Sequence, residues 1–129
     1  MRVALAVVLW SVGAALAAEP AKVGKIDAKA AAQLVAQKAA TIVDVREQDE
    51  TAEGMARPAQ WFATSRIEAD PAAFKAFLAT LPRGKVLFYC AAGYRAGQAA
   101  QKAAALGYEV ANMGSYDGWV DAKLPIKKP

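Results

Sequence analysis

The chain has 129 residues, enough for one domain, with 56% hydrophobic and 22% charged residues. That composition describes a folded globular protein and excludes a disordered tail or a collagen-like repeat. There is no histidine and a single cysteine, Cys90, which excludes Ser-His-Asp and Cys-His nucleophile pairs, His-ligated metals, multi-thiolate zinc sites and any internal disulfide. The net charge of +4 is small and dispersed. It mildly favours anions and lacks the basic, aromatic-interleaved stripe of a nucleic-acid binder. The closing Lys127-Lys128-Pro129 is a solvated tail.

Met1-Arg2 is followed by sixteen uncharged residues, Val3 to Ala18, and the run ends at Glu19-Pro20. A positive start, a short apolar stretch and the small residues Ala15-Leu16-Ala17 form a secretory signal pattern. The expectation is therefore a leader over residues 1–18, a mature domain over 19–129, and a periplasmic location. An uncleaved anchor is the alternative, but sixteen helical residues span only ~24 Å against a membrane core of ~30 Å. No cysteine follows the leader, so no lipid attachment site is present. Exported proteins usually pair their cysteines; a lone Cys90 there is either buried and inert or kept for its chemistry.

The mature chain alternates helix and strand. Asp27 caps a helix predicted from Ala28 to about Lys38, with Leu34 and Val35 facing inward. Thr41-Ile42-Val43-Asp44-Val45 is a short β-branched run suited to a buried strand. Glu47 to Glu53 forms a short acidic helix ended by Gly54. Met55 to Ile67 carries no clear pattern. Asp70-Pro71 starts a helix, with Asp capping free N–H groups and Pro fitting the first turn; Phe74, Phe77, Leu78 and Leu81 follow at helical spacing. Pro82-Arg83-Gly84 breaks the chain. Lys85 to Tyr89 is a second buried strand ending at Cys90, Ala91 to Arg95 a short loop, and Ala96 to Leu106 a helix closed by Gly107. Glu109 to Asn112 is a third strand, and Gly114 to Val120 a turn with a last helical turn carrying Trp119, a core or pocket-wall residue. This order implies an α/β domain with a mainly parallel sheet covered on both faces. Ligands bind such sheets beyond the carboxyl ends of the strands, where Cys90 and the stretch Asp44 to Arg46 both fall.

The chemistry concentrates in Cys90-Ala91-Ala92-Gly93-Tyr94-Arg95. A cysteine between a strand end and a helix start faces backbone N–H groups and the positive end of a helix dipole, and both favour a negatively charged sulfur. Gly93 lets the backbone curl around that sulfur, and Arg95 brings a planar fork of donors suited to an oxyanion. Together they form a cradle for a negative atom on, or arriving at, Cys90. The bland alternative is a buried thiol in a closely packed turn.

Ile42-Val43-Asp44-Val45-Arg46-Glu47, paired with Val86-Leu87-Phe88-Tyr89-Cys90-Ala91-Ala92-Gly93-Tyr94-Arg95, resembles the rhodanese-like sulfurtransferases. Gly107-Tyr108, Asn112-Met113-Gly114 and Gly118-Trp119 look like that family's C-terminal end. The resemblance runs from about Val23 to Pro125 and is to the single-domain exported rhodanese of bacteria. It implies a three-layer fold with a five-stranded, mainly parallel sheet. It also implies that Cys90 takes a sulfane sulfur from a small anionic donor such as thiosulfate and passes it to cyanide, a thiol or a protein acceptor. The backbone N–H groups of Ala91, Ala92, Gly93, Tyr94 and Arg95 would hold the persulfide, Arg95 would help bind the donor, and Asp44 and Arg46 would orient the loop or, more simply, form an ion pair or a helix cap. No metal or organic cofactor is implied. Related phosphatases of the cell-cycle type have one more residue between cysteine and arginine; the four here, Ala91 to Tyr94, match the tighter sulfur-sized loop.

One stretch departs from the family. Where rhodaneses continue Gly-His-Ile-Pro-Gly-Ala, this chain has Gly54-Met55-Ala56-Arg57-Pro58-Ala59, followed by Gln60-Trp61-Phe62. Either Arg57 becomes a new anion contact and Met55, Trp61 and Phe62 line an altered pocket or partner surface, or the stretch is a repacked core. The change also supports an alternative function, a rhodanese-like binding module whose catalysis has lapsed.

Overall fold

The computed structural model describes residues 23–129; the leader expected over 1–18 lies outside them. In chain order the elements are β1 Gly24–Lys25, α1 Ala28–Ala36, β2 Ala40–Asp44, α2 Gln48–Thr51, β3 Met55–Ala56, β4 Gln60–Trp61, α3 Thr64–Ala69, α4 Pro71–Ala79, β5 Lys85–Cys90, α5 Tyr94–Ala105, β6 Val110–Ser115, α6 Tyr116–Asp121 and β7 Ile126–Lys127. Five strands form one parallel sheet in the order β1-β6-β5-β2-β4. β3 and β7 make a separate antiparallel pair. The α/β architecture with a five-stranded parallel sheet is the expected one.

The central strand shows why the sheet needs cover on both faces. Successive side chains of a strand point to opposite sides. Val86, Phe88 and Cys90 enter one core with Phe62, Ile67, Phe74 and Leu78, which α3 and α4 and the segment before them supply. Leu87 and Tyr89 enter the other, with Ala28, Ala31 and Trp119 from α1 and α6. Both cores need apolar residues at adjacent positions, so β5 reads as a continuous hydrophobic run. The buried residues of α5 are all alanines, Ala96, Ala99, Ala100 and Ala103, each at most 2% exposed. Small side chains let the helix axis lie close over β5 and bring its first turn near the strand end.

Caps fix the helix starts where the sequence placed them. Asp27 accepts the Ala30 N–H at 2.8 Å, and Asp70 accepts the Ala73 N–H at 3.0 Å with Pro71 in the first turn. Several boundaries move. α1 ends at Ala36 because Lys38 takes a left-handed backbone at φ 58°, and Ala28 and Ala31 are its buried residues, with Leu34 and Val35 only packing against that core. α2 is confined to Gln48–Thr51. α5 begins two residues early, at Tyr94, because Gly93 at φ 101° caps it. β6 runs on to Ser115 through an irregularity in its pairing with β5, where Phe88 faces Asn112 but Tyr89 faces Gly114. That β-bulge skips Met113 and bends the strand at its carboxyl end.

The alanine face of α5 gives a direct test. Ala100→Leu forces extra methylenes between helix and sheet, and overpacking of this kind costs ~1–3 kcal/mol. Urea denaturation of the variant is expected to show a loss in that range; an unchanged midpoint would mean the helix can lift without penalty.

Candidate functional site

Cys90 closes β5 and is 1% exposed. Its Sγ accepts the Gly93 backbone N–H at 3.0 Å, which the left-handed φ of Gly93 turns back toward the sulfur. The Gly93 carbonyl accepts from Gly97 N at 3.0 Å and from Asn112 Nδ2 at 2.9 Å. Asn112 Oδ1 in turn accepts the Gly114 N–H at 2.9 Å. The bulge in β6 thus lets one amide side chain tie the loop to the neighbouring strand. Gly97 leaves the space for it, since a Cβ there would lie 3.3 Å from Asn112 Nδ2. Ala91 and Ala92 form the exposed tip of the loop.

Arg95, from the first turn of α5, is partly buried and turned toward α2. Its Nη1 and Nη2 donate to Glu50 Oε1 and Oε2 at 2.6 and 2.8 Å, a two-pronged bridge to α2. Glu50 Oε1 also accepts the Glu47 N–H at 3.0 Å, closing the start of α2. The Arg95 hydrogen bonds hold the Glu50 carboxyl down to about 2, against an ordinary 4.5. The Arg95 guanidinium is raised, first by its bond to Glu50 and further by the nearby Cys90 sulfur. The cation that the sequence assigned to the donor anion is thus engaged in fastening the loop to α2.

Asp44 and Arg46 form a buried ion pair, 0% and 4% exposed. Arg46 Nη2 meets Asp44 Oδ2 at 2.8 Å, Nε sits 3.1 Å from both carboxylate oxygens, and the Arg46 N–H donates to Oδ1 at 2.9 Å. The guanidinium also donates to the carbonyls of Gly54 at 2.7 Å and Glu50 at 3.4 Å. It lies over the Tyr116 ring at 4.1 Å and the Tyr89 ring at 5.6 Å. Burial pulls the Arg46 guanidinium down, but the hydrogen bond and charge of Asp44 outweigh it and the net shift is upward. Burial, with Asp44 alongside, pushes the Tyr89 phenol up, and its oxygen accepts the Ala56 N–H at 3.0 Å. The ion-pair role expected for Asp44 and Arg46 is the one the geometry displays.

Beside the Cys90 loop lies a cavity of about 340 Å³ lined by Arg46, Asp49, Glu50, Glu53, Ala91, Tyr116 and Asp117. Tyr94 does not line it; its ring is 76% exposed, with the phenol oxygen 3.3 Å from Gln98 Nε2. Arg57 is no part of it either. Its backbone N–H donates to Pro125 O at 2.9 Å and its side chain to Ile126 O at 3.4 Å, so it belongs to the β3–β7 pair. Met55 and Phe62 are core residues, while Trp61 is 42% exposed and donates its indole N–H to Arg46 O at 2.8 Å. The divergent stretch is therefore mainly repacked core with one aromatic left at the rim. Sequence reasoning missed Glu50, Asn112 and Tyr116. Only Glu50 carried a usable signal, a Glu three residues after the helix-starting Glu47.

The Rhodanese-like domain family model matches residues 27–122. The chain belongs to the rhodanese-like family. No curated protein sequence matches it. Among solved structures, a rhodanese-related protein from Thermoplasma volcanium superposes with a TM-score of 0.67 at 21% identity, covering 82% of this chain and 99% of that one. A human single-domain sulfurtransferase gives 0.59 at 28% identity, covering 78% and 97%. A Rhodopseudomonas palustris protein of unknown function, named a possible tyrosine phosphatase, gives 0.64 at 26% identity, covering 81% and 85%.

The Glu50–Arg95 bridge sets a pH-dependent expectation. Because the folded carboxyl titrates near 2 rather than 4.5, its stabilisation is complete above about pH 4.5 and is lost as pH falls toward 2. Glu50→Gln should cost ~1 kcal/mol at pH 7, the upper end for a partly exposed pair. The gap to wild type, read from urea curves, should close between pH 4.5 and 2. A gap that persists at pH 2 would show that the bridge contributes nothing through its charge.

Proposed function

We propose that the protein is a sulfurtransferase in which Cys90 carries a sulfane sulfur as a persulfide, taken from a small anionic donor such as thiosulfate and delivered to a thiol or protein acceptor. The observation that carries this reading is the Gly93 N–H held 3.0 Å from Cys90 Sγ at the head of α5. A backbone donor meets the sulfur at the N-terminal end of a twelve-residue helix, where negative charge is favoured. Family membership and the likeness to a human single-domain sulfurtransferase support it.

The transfer needs little else from the protein. The Cys90 thiolate attacks the outer sulfur of thiosulfate, the S–S bond breaks, and sulfite leaves with the electron pair. The persulfide then yields its outer sulfur to a nucleophile such as cyanide, and the pair returns to Cys90 Sγ. Neither step with these reactants moves a proton, so a site without histidine suffices. The four residues between Cys90 and Arg95 make a loop that supports a sulfur-sized cradle over a phosphate-sized one. Asp44, Arg46, Glu50 and Arg95 act as positioning residues, bracing the loop from the adjacent strand end and α2. The leader pattern over residues 1–18 supports an exported, periplasmic protein of the bacterial rhodanese type.

Two measurements test this. Protein recovered from the periplasm should begin at Ala18 or Glu19 by mass; a chain retaining Met1 in the membrane fraction would overturn the exported, soluble form. The mature protein should produce thiocyanate from thiosulfate and cyanide, and Cys90→Ser should produce none above background. Folded, reduced protein without turnover would overturn the thiosulfate reading and favour the lapsed binding module.

A further inference from the structure

We infer that the cavity beside Cys90 selects a cationic sulfur acceptor, a thiol carried next to Lys or Arg side chains. The inference rests on the sulfurtransferase reading and names the acceptor class for that site. Four of the seven residues lining the cavity are acidic: Asp49, Glu50, Glu53 and Asp117. Glu50 is neutralised by Arg95, and Arg46, the only cation among the described lining residues, by buried Asp44. Asp49, Glu53 and Asp117 have no ion-pair partner among the described residues and are exposed. A protein of net charge +4 thus turns an acidic mouth toward the loop that bears its reactive sulfur.

Asp49 and Asp117 lie in the first turns of α2 and α6, where carboxylates are locally favourable. That accounts for their acceptance there, and Glu53 has no such account. A cleft lined by one sign of charge raises the local concentration of the opposite sign. The aromatic residues point the same way. Tyr116 already holds one guanidinium over its ring inside the cavity. Trp61 and Tyr94, 42% and 76% exposed, stand at the same carboxyl end of the sheet. Exposed rings at that end of the sheet are suited to Lys or Arg side chains.

The delivery step balances without a further reagent. The acceptor thiolate attacks the outer sulfur of the Cys90 persulfide, the Sγ–S bond breaks, and the electron pair stays on Sγ. The acceptor leaves as a persulfide anion carrying the transferred sulfur, and no proton is gained or lost. The same field repels a dianionic donor, so the two half-reactions respond to salt in opposite directions.

The test uses the full chain with Cys90 loaded from thiosulfate and quantified as the mass of one added sulfur atom. Loaded protein is mixed with two short peptides, each with one cysteine flanked by lysines or by glutamates, and unloading is followed at equal thiolate concentration. A free cationic aminothiol, cysteamine, separates small-molecule from peptide acceptors. At low ionic strength the lysine peptide should unload Cys90 about tenfold faster than the glutamate peptide, the low end of electrostatic steering. The ratio should fall to about twofold or less in high salt, where screening is nearly complete, and in a folded Asp49→Asn/Glu53→Gln/Asp117→Asn variant. A cysteamine rate equal to that of the lysine peptide would assign the preference to charge alone, and a slower one to a longer basic segment. Loaded protein that treats the two peptides alike would overturn the inference and leave the sulfurtransferase reading intact. A Cys90 that never carries sulfur would overturn both.

Discussion

A guanidinium held almost wholly out of water at the carboxyl end of the sheet organises this molecule. Arg46 is neutralised by Asp44 and bonded to the carbonyls of Glu50 and Gly54, and its face is covered by Tyr116. A buried charge is tolerated only when its partners and remaining donors are satisfied, so each of these segments is fixed by the same cation. Gly54 has φ 144°, and a Cβ on it would lie 2.5 Å from the Tyr116 hydroxyl. A side chain at position 54 would collide with the same ring that covers Arg46. Removing either Asp44 or Arg46 would leave the other uncompensated in the interior, the expensive way to break such a pair.

From that centre the bracing extends outward in two directions. Through α2, Glu50 takes both prongs of Arg95 and so fixes the start of α5. Through β6, Asn112 holds the Gly93 carbonyl from the opposite side. The loop between Cys90 and Arg95 is short and rich in small residues, with no bulk of its own to define its shape. Its conformation is imposed by polar contacts from neighbours on both flanks. This division of labour suits a sulfur carrier: a backbone N–H bonds the sulfur, and the charged side chains brace the loop that holds it.

The fold was legible because local and tertiary preferences agree over most of the chain. Asp27 and Asp70 carry the capping oxygen that the sequence requires, and the runs at 42–43 and 86–89 are apolar on both faces because both faces are covered. The Cys90 loop was legible for the same reason, a strand end, a glycine and a helix start in fixed order. The destination of Arg95 was not. A positive charge near a reactive sulfur looks available for a ligand until the chain brings Glu50, 45 positions earlier, within 2.6 Å. Asn112 was equally opaque, because its use depends on a bulge that no residue pattern announces. The stretch from Met55 to Phe62 was unreadable since its short strands are made by partners elsewhere: β3 by the C-terminal β7, and β4 by the edge of β2.

The strand order also governs when the site can come into being. β5 is central in space yet follows β1 to β4 in sequence, and it must lie between β2 and β6, which are themselves far apart along the chain. A parallel sheet of this order cannot zip up from one end, because its middle register closes only after long loops have been brought together. Until that happens, β2 has an open edge and both apolar cores lack their shared wall. The sulfur rides on the last residue of that wall. Assembly of the hydrophobic interior and presentation of the thiol are therefore one kinetic event, and a partly folded chain has no means of offering Cys90 in its cradle.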